Sequence, residues 1–303
     1  MAARRERSAG RHGVPRVLRG KTIGVLGAGQ TGGSLIRRLG THRPQVSVLA
    51  SDRDRALARV VGRHARWCDS LLQLVRDSDV LVLAVPVHDV VRLLSRVARL
   101  AARRTMARRL VVCDVSTIKG PVVAAAARHQ TAFDFVGLHP LAGVERSGWR
   151  ASSASMFAAK VVLYSPAAPA LDGVARAMIR LMGGRPVPIA WDEHDRLVAT
   201  TIGLPHVLAY AAAGLAERGA AADAVTGGSW RSLTRVAVSS PAMVAGFLHG
   251  NVAHQLRSLR RLRANLDRIE RCLRARSLPA LERQLGRLQR AVPAPRAAKK
   301  RRR

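Results

Sequence analysis

Thr22-Ile23-Gly24-Val25-Leu26-Gly27-Ala28-Gly29-Gln30-Thr31-Gly32 is the stretch whose reading decides the fold. A short apolar run of strand type leads into G-x-G-x-x-G, and Gly33-Ser34-Leu35-Ile36 then opens a segment of helical spacing. A buried strand that turns on glycines into a helix N-terminus can take a pyrophosphate. The glycines allow the turn and the close approach of backbone, and the helix end offers N–H groups and a positive dipole end. The next apolar run, Val46-Ser47-Val48-Leu49-Ala50-Ser51, ends in Asp52. That acid lies about 20 residues beyond the last glycine, where a carboxylate accepts the ribose hydroxyls of an adenosine. Gly27, Ala28, Gly29, Gln30, Thr31, Gly32 and Asp52 therefore form the candidate cofactor-binding set, with Val85 and Pro86 at the end of the later run Asp79–Pro86. Asp52 repels a 2′-phosphate and favours NAD, whereas Arg53 beside it is able to accommodate one, so NADP stays open.

Working outward, the runs Asp79–Pro86 and Arg109–Ser116 alternate with helix-like segments and continue a βαβ pattern. Shorter strands are expected at Phe135–Pro140, Lys160–Pro166 and Arg185–Ala190. The pattern predicts an α/β, Rossmann-type, doubly wound and mostly parallel sheet over residues 20–190. After Trp191 the spacing of leucines is helical, which predicts an all-α domain over 191–292. The stretches 1–19 and 293–303 are basic and rich in Pro, Gly, Ala or Arg, and are read as solvated tails.

The chain has 303 residues, 48% of them hydrophobic, enough for a sizeable core in two domains. Its charge is extreme: 52 Lys and Arg against 19 Asp and Glu leave +33. Such an excess attracts anions without specifying a fold. Only Lys21, Lys119, Lys160, Lys299 and Lys300 are lysine; the arginines are spread along the whole chain. With aromatics at 3% and no zinc-finger, RRM or KH spacing, composition argues against nucleic acid as the main ligand. Cys68, Cys113 and Cys272 are far apart and odd in number, which suits a reducing cytoplasm, and no ligand spacing suggests a metal. Leu197–Ala216 carries no charge apart from histidine and is about long enough to span a bilayer. Its Thr200, Thr201, Pro205 and His206 instead favour a buried helix and no membrane partner.

Two further segments fall at strand ends on the carboxyl side of the expected sheet, where this fold class binds ligands. One is Asp114-Val115-Ser116-Thr117-Ile118-Lys119-Gly120, and the other runs from His139-Pro140-Leu141-Ala142-Gly143 to Glu145, Ser147 and Gly148. A histidine directly after an apolar strand suits a hydrogen-bonding base for a substrate hydroxyl, because its pKa lies near neutrality. Lys119 reads either as an attractor of an anionic substrate or as a solvated helix-start residue. Glu145 and Ser147 read either as substrate contacts or as braces of their loop. Asp192, in Asp192-Glu193-His194-Asp195, reads as a helix N-cap rather than a catalytic acid.

Taken together, GAGQTGGSL, DVSTIKG, HPLAGVERSG, DEHDRLVA with GLPH, and GGSWRSLTRVAVSSP resemble the prephenate/arogenate (cyclohexadienyl) dehydrogenase family, from about Lys21 into the C-terminal helices. The HPLAGVERSG block is the most distinctive of these. The resemblance implies NAD(P)-dependent oxidative decarboxylation of prephenate or arogenate in tyrosine biosynthesis. On that reading His139 bonds the ring hydroxyl, Thr117 stands where the family usually has serine, and Arg235 binds a substrate carboxylate through its bidentate fork. His206 matches the second histidine of the family's S-H-L-P-H segment, and Ser116, Lys119, Glu145 and Ser147 complete the substrate set. The chain departs from the family at Ile202 and Gly203, where that segment's serine and first histidine would stand. The resemblance also implies a homodimer through the helical domain, as does a leucine-rich stripe after Asn251 that one isolated helix would leave exposed. Two other readings compete. A Rossmann dehydrogenase of different substrate would usually use a lysine on the helical domain, and none lies between Lys160 and Lys299. A nucleotide-fold binding protein that has lost catalysis would use the basic surface instead.

Overall fold

A computed structural model describes residues 13–104, 108–165, 169–217, 219 and 224–292 of the chain. Its strands are β1 (Thr22–Leu26), β2 (Ser47–Ser51), β3 (Arg66–Trp67), β4 (Val80–Leu83), β5 (Val111–Asp114), β6 (Asp134–Pro140), β7 (Val161–Tyr164) and β8 (Arg185–Pro188). They form one sheet in the order β3-β2-β1-β4-β5-β6-β7-β8. Every pairing is parallel except that of β6 with β7. The expected doubly wound, mostly parallel sheet is therefore present, and the three short strands after Gly120 are where the sequence placed them. Pro166, at the end of one expected strand, lies outside the described residues.

Apolar side chains alternate between two cores. Along β4, Val80 and Val82 face the core that holds Leu35, Ile36 and Leu39, whereas Leu81 and Leu83 face the core that holds Leu74, Val90 and Leu94. A sheet buried on both faces requires such near-continuous apolar runs. The covering helices on the first face include α1 (Gln30–Gly40); on the second they include α2 (Leu71–Asp77), α3 (Val87–Ala101) and α4 (Gly120–Ala127). Ser70 caps α2 by accepting the N–H of Gln73 at 3.2 Å.

One boundary differs from expectation. Val14 and Leu18 are each 1% exposed and belong to the first core, so the tail read over 1–19 gives way to folded chain by residue 14. Apolar side chains in an otherwise basic stretch find a core to enter. Residues 1–12 and the tail at 293–303 lie outside the described residues. By compactness the chain divides into units Met1–Val252 and Ala253–Arg303. The helices α5 (Trp191–Val198), α6 (Leu204–Ala213), α7 (Gly228–Thr234) and α8 (Pro241–His249) belong to the first unit with the sheet. Val198 of α5 and Val244 and Phe247 of α8 enter the second core, which ties those two helices to it. The second unit holds most of the helix Val252–Arg274 and all of Leu278–Gln289, the latter capped by Ser277. Leu256, Leu266, Leu273, Leu278 and Leu285 of these two helices are exposed.

The uncharged stretch from Leu197 is not one buried helix. It is interrupted by a π-helical turn, Ala199–Gly203, and its face alternates between buried Val198, Ala199, Gly203 and Ala209 and exposed Thr200, Thr201 and Pro205. Among the described residues no helix is long and apolar enough to cross a membrane.

Candidate active site

The strand register brings the sequence motifs to one edge. Leu26 pairs with Ser51 and with Leu83, Leu83 with Asp114, and Asp114 with Gly137. The residues just beyond that line are the glycine loop, Asp52, Val85-Pro86, Ser116-Thr117 and, two residues past Gly137, His139. The strand order reverses between β1 and β4, and a crevice at that position is where open α/β sheets bind ligands.

The glycines of the loop have separate tasks. Gly27 has φ +97°, and a Cβ on it would lie 2.5 Å from the Ala84 carbonyl oxygen. A Cβ on Gly32 would lie 1.9 Å from the Gly27 carbonyl oxygen, so only glycine lets α1 start this close to β1. A Cβ on Gly29 would meet nothing within 4 Å. Gly29 thus keeps open the place at which α1 begins, and no side chain caps that helix end. Asp52 Oδ2 accepts the Ala28 N–H at 2.6 Å and Oδ1 accepts the Asp54 N–H at 2.8 Å, which fixes the carboxylate beside the loop. An open helix N-terminus, a backbone cradle and an anchored acid fit a dinucleotide. Gln30 has a role that spacing did not reveal: its side-chain amide donates to the carbonyls of Val144 and Arg146, bracing the loop that follows His139. Thr31 is half-buried on the first turn of α1, Val85 lies against the glycine loop, and Arg53 and Pro86 are exposed at the same edge.

His139 is 5% exposed. Its Nδ1 lies 2.8 Å from His194 Nε2, and His194 Nδ1 lies 2.7 Å from Asp195 Oδ1. Asp195 also accepts the backbone N–H groups of Lys119 at 2.9 Å and Gly120 at 2.7 Å, which are the free donors at the start of α4. Asn251 holds the Asp195 carbonyl at 2.7 Å. Burial, then the Lys119 charge, then His194 push the His139 pKa well below its ordinary 6.5, so the ring is neutral at pH 7. Burial works to raise the Asp195 pKa, but the hydrogen bonds from His194, Gly120 and Lys119 outweigh it and hold the acid below its usual range. Close packing makes this cluster possible. A Cβ at Gly137 would lie 2.6 Å from the Trp191 ring, so the glycine in β6 lets α5 settle onto the strand that carries His139.

Several sequence expectations change here. Asp192 is not the N-cap of α5. That position is Ala190, without a side-chain cap, and Asp192 sits exposed in the first turn, where its charge suits the helix dipole. Lys119 is neither solvated nor open to substrate: it is 0% exposed, with Nζ 2.7 Å from Asp114 Oδ2 and its positive charge over the Trp191 ring. Ser116 is drawn into the same pair, donating from Oγ to the Asp114 carboxylate. Both belong to the buried floor rather than the substrate set, because a buried carboxylate needs a partner. Thr117 is half-buried and makes no hydrogen bond to His139.

The remaining substrate candidates lie on more open parts of the unit. Arg235 pairs with Glu145, with its side chain 63% exposed. Ser147 is exposed. His206 is half-buried, its Nδ1 2.8 Å from the Ile202 carbonyl and its ring edge-on to Phe247. Ile202, in the π-helical turn, packs against the second core, and Gly203 is buried. Among the described residues no cluster of His, Cys, Asp and Glu could hold a metal ion. A cavity of about 380 Å³ bounded by Thr22, Arg43, Ser47 and Arg66 lies at the amino ends of β1 and β2, away from His139 and the glycine loop.

Comparison with known proteins accounts for this combination. Residues 35–184 match the model of the prephenate dehydrogenase nucleotide-binding domain, and residues 191–287 match that of the prephenate dehydrogenase dimerization domain. The chain belongs to the prephenate dehydrogenase family. A cyclohexadienyl dehydrogenase of Zymomonas mobilis is 31% identical over 237 residues, covering 74% of this chain and 78% of that one. A solved Corynebacterium glutamicum structure, described as a prephenate dehydrogenase, is 26% identical with a TM-score of 0.76, covering 90% of this chain and 89% of that one. The Aquifex aeolicus prephenate dehydrogenase, solved with hydroxyphenyl propionate and NAD+, shares the fold at a TM-score of 0.73 and 19% identity, over 89% of this chain and 96% of that one. The nucleotide-domain match begins at residue 35, just past the glycine loop. The family boundary near 190 follows the sequence's change from strand to helix, whereas the compact unit runs on to Val252.

Proposed function

We propose that this chain catalyses the NAD-dependent oxidative decarboxylation of a cyclohexadienol with a ring carboxylate, namely prephenate or arogenate. The observation that carries the reading is His139. It is a buried imidazole held neutral at the sheet edge that bears the glycine loop, and its Nε2 makes no hydrogen bond among the described residues. A neutral imidazole so placed accepts the proton of a hydroxyl as the carbon beneath it loses hydride. Bound at the glycine loop and Asp52, NAD supplies the acceptor for that hydride.

The balance is simple. The hydroxyl proton passes to His139 Nε2 while the C–H bond of the same ring carbon breaks with both electrons. The bond to the ring carboxylate then gives its pair to the ring, carbon dioxide leaves, and the proton returns from His139 to the phenolic oxygen. Aromatisation drives the second stage, so the protein's work is orientation and proton transfer. Arg235 supplies a guanidinium for a substrate carboxylate, in exchange for or beside Glu145. His206 offers Nε2, since its Nδ1–H is given to the Ile202 carbonyl. The two polar positions replaced by Ile202 and Gly203 leave recognition of the substrate's side chain to fewer groups, with exposed Arg231 as a candidate replacement. The homodimer through the helical domain is part of this proposal, supported by the dimerization-domain match and by exposed Leu233, Val238 and Met243.

The decisive experiment follows NADH formation with prephenate and arogenate side by side. Production of 4-hydroxyphenylpyruvate or tyrosine is expected. Purified protein that binds NAD yet turns over neither compound would overturn the reading.

A further inference from the structure

The chain His139–His194–Asp195 has a directionality that determines which nitrogen of His139 can act as base. Asp195 is an ionised carboxylate and can only accept, and Oδ1 receives the Lys119 N–H while Oδ2 receives the Gly120 N–H. The nitrogen of His194 that faces it, Nδ1 at 2.7 Å, must therefore carry a hydrogen. In a neutral imidazole the other nitrogen is then a bare acceptor. That nitrogen, His194 Nε2, lies 2.8 Å from His139 Nδ1, so the hydrogen between them belongs to His139. His139 Nε2 is left with its lone pair. We infer that His194 and Asp195 are positioning residues which set the tautomer of His139, leaving Nε2 unprotonated toward the substrate hydroxyl.

The surroundings make this arrangement rigid. His194 is 0% exposed, and Trp191 stands edge-on to its ring. Asp195 is anchored through the start of α4, so the orientation of His139 on β6 depends on α4 and α5 together. The titratable groups facing His139 are Lys119, held by Asp114, and His194, held by Asp195. The buried Lys119 charge opposes a second proton on His139, and the tautomer chosen by Asp195 puts the vacant site on Nε2. The arrangement rests on the proposed hydroxyl-to-imidazole proton transfer for its use, but not for its existence.

The experiment therefore has two independent readouts. NMR of protein with isotopically labelled imidazole nitrogens, assigned with His139→Gln, is expected to show His139 and His194 each protonated at Nδ1 and bare at Nε2 at neutral pH. A proton on His139 Nε2, or a doubly protonated His194, would overturn the inference whatever the activity. The second readout is Asp195→Asn. An amide cannot accept from both backbone N–H groups and His194 at once, so its NH2 turns His194 over and puts the hydrogen of His139 on Nε2. A comparable carboxylate-to-amide change at a serine-protease triad lowers kcat through the wrong tautomer. Here kcat is expected to fall by about 10²–10⁴-fold, with the KM for substrate and the binding of NAD changing less than about threefold. His194→Gln, whose amide oxygen can still accept from His139 Nδ1, should keep more activity than His194→Leu. Equal loss in those two variants, or Asp195→Asn as active as wild type, would also overturn it. If Asp195→Asn fails to fold, the wild-type NMR result decides alone. Failure to turn over prephenate and arogenate would defeat the proposed function and leave the NMR result standing.

Discussion

The nucleotide side and the substrate side of the sheet edge are made of different material. At the glycine loop the work falls mainly to backbone: Gly27 turns, Gly32 lets α1 approach, Gly29 leaves space, and the Asp52 carboxylate is held by two backbone N–H groups. Around His139 the work falls to a buried net of side chains, His194, Asp195, Lys119 and Asp114, gathered from β5, the start of α4 and α5. Farther out, Arg235 and Glu145 form an exposed pair. A backbone site can be read from local spacing, because its parts are neighbours in the chain. A site of buried side chains cannot, because His139 and His194 meet only when a helix packs on a strand.

The largest effect expected from breaking the buried side is loss of the base. His139→Asn should lower kcat by about 10²–10⁴-fold, with NAD affinity unchanged in a fluorescence titration. An effect within tenfold would remove His139 from proton transfer. Next in size is a structural failure at Lys119. Lys119→Met leaves Asp114 buried and unpaired, with its Oδ1 already lacking a partner, and should cost about 3–5 kcal/mol in denaturant unfolding. If Lys119 were instead an open substrate contact, the variant would raise KM and keep its stability.

The glycines sharpen the contrast within one motif. Gly32→Ala puts a methyl against the Gly27 carbonyl and should lower Tm along with NAD binding. Gly29→Ala meets no protein atom, so Tm should hold while the KM for NAD rises. Equal behaviour of the two would mean that Gly29 does not face the cofactor. On the exposed side, Arg235→Gln removes one charge-assisted contact, worth about 1.5–3 kcal/mol. The KM for prephenate should rise by roughly 10- to 100-fold, with little change in Tm.

Acid titration probes the buried side by pH. The His139 pKa lies well below 6.5 in the folded chain, so the unfolded chain binds that proton first and stability declines as pH falls below 6.5. Asp195, held below its usual range, adds a second loss at lower pH, as the unfolded carboxylate protonates before the folded one. The acid limb of kcat/KM should accordingly lie below that of a free imidazole. A limb at 6.5 or above would show that His139 is not the titrating base.

This difference in material also explains what the sequence made legible. Strands, sheet class, the glycine loop and the place of His139 at a strand end follow from apolar runs and local spacing. From sequence alone Asp195 has no role of its own and Lys119 stands between substrate attractor and solvated residue, because each has an ordinary surface reading. An acid in Asp192-Glu193-His194-Asp195 looks like helix-start decoration, and a lysine after Ile118 looks solvated. Their roles depend on Gly137 and Gly120, whose missing side chains let α5 approach β6 and the start of α4. A glycine in the middle of a strand, with no turn to explain it, was the available signal of that close approach. Likewise Val14 and Leu18 were hidden by their arginine neighbours.

The smallest expected effect concerns the acid on the backbone-built side. Asp52 holds two backbone N–H groups, so its carboxylate shapes the loop, and on the proposed reading its charge also repels a 2′-phosphate. Asp52→Asn removes the charge while keeping one acceptor. The ratio of kcat/KM for NADP over NAD should rise by about tenfold, about 1.4 kcal/mol, because Arg53 next to it is exposed and able to meet the added phosphate. If NAD were instead lost with no gain for NADP, Asp52 would matter for loop shape alone, and the choice of cofactor would have to rest on other residues of the edge.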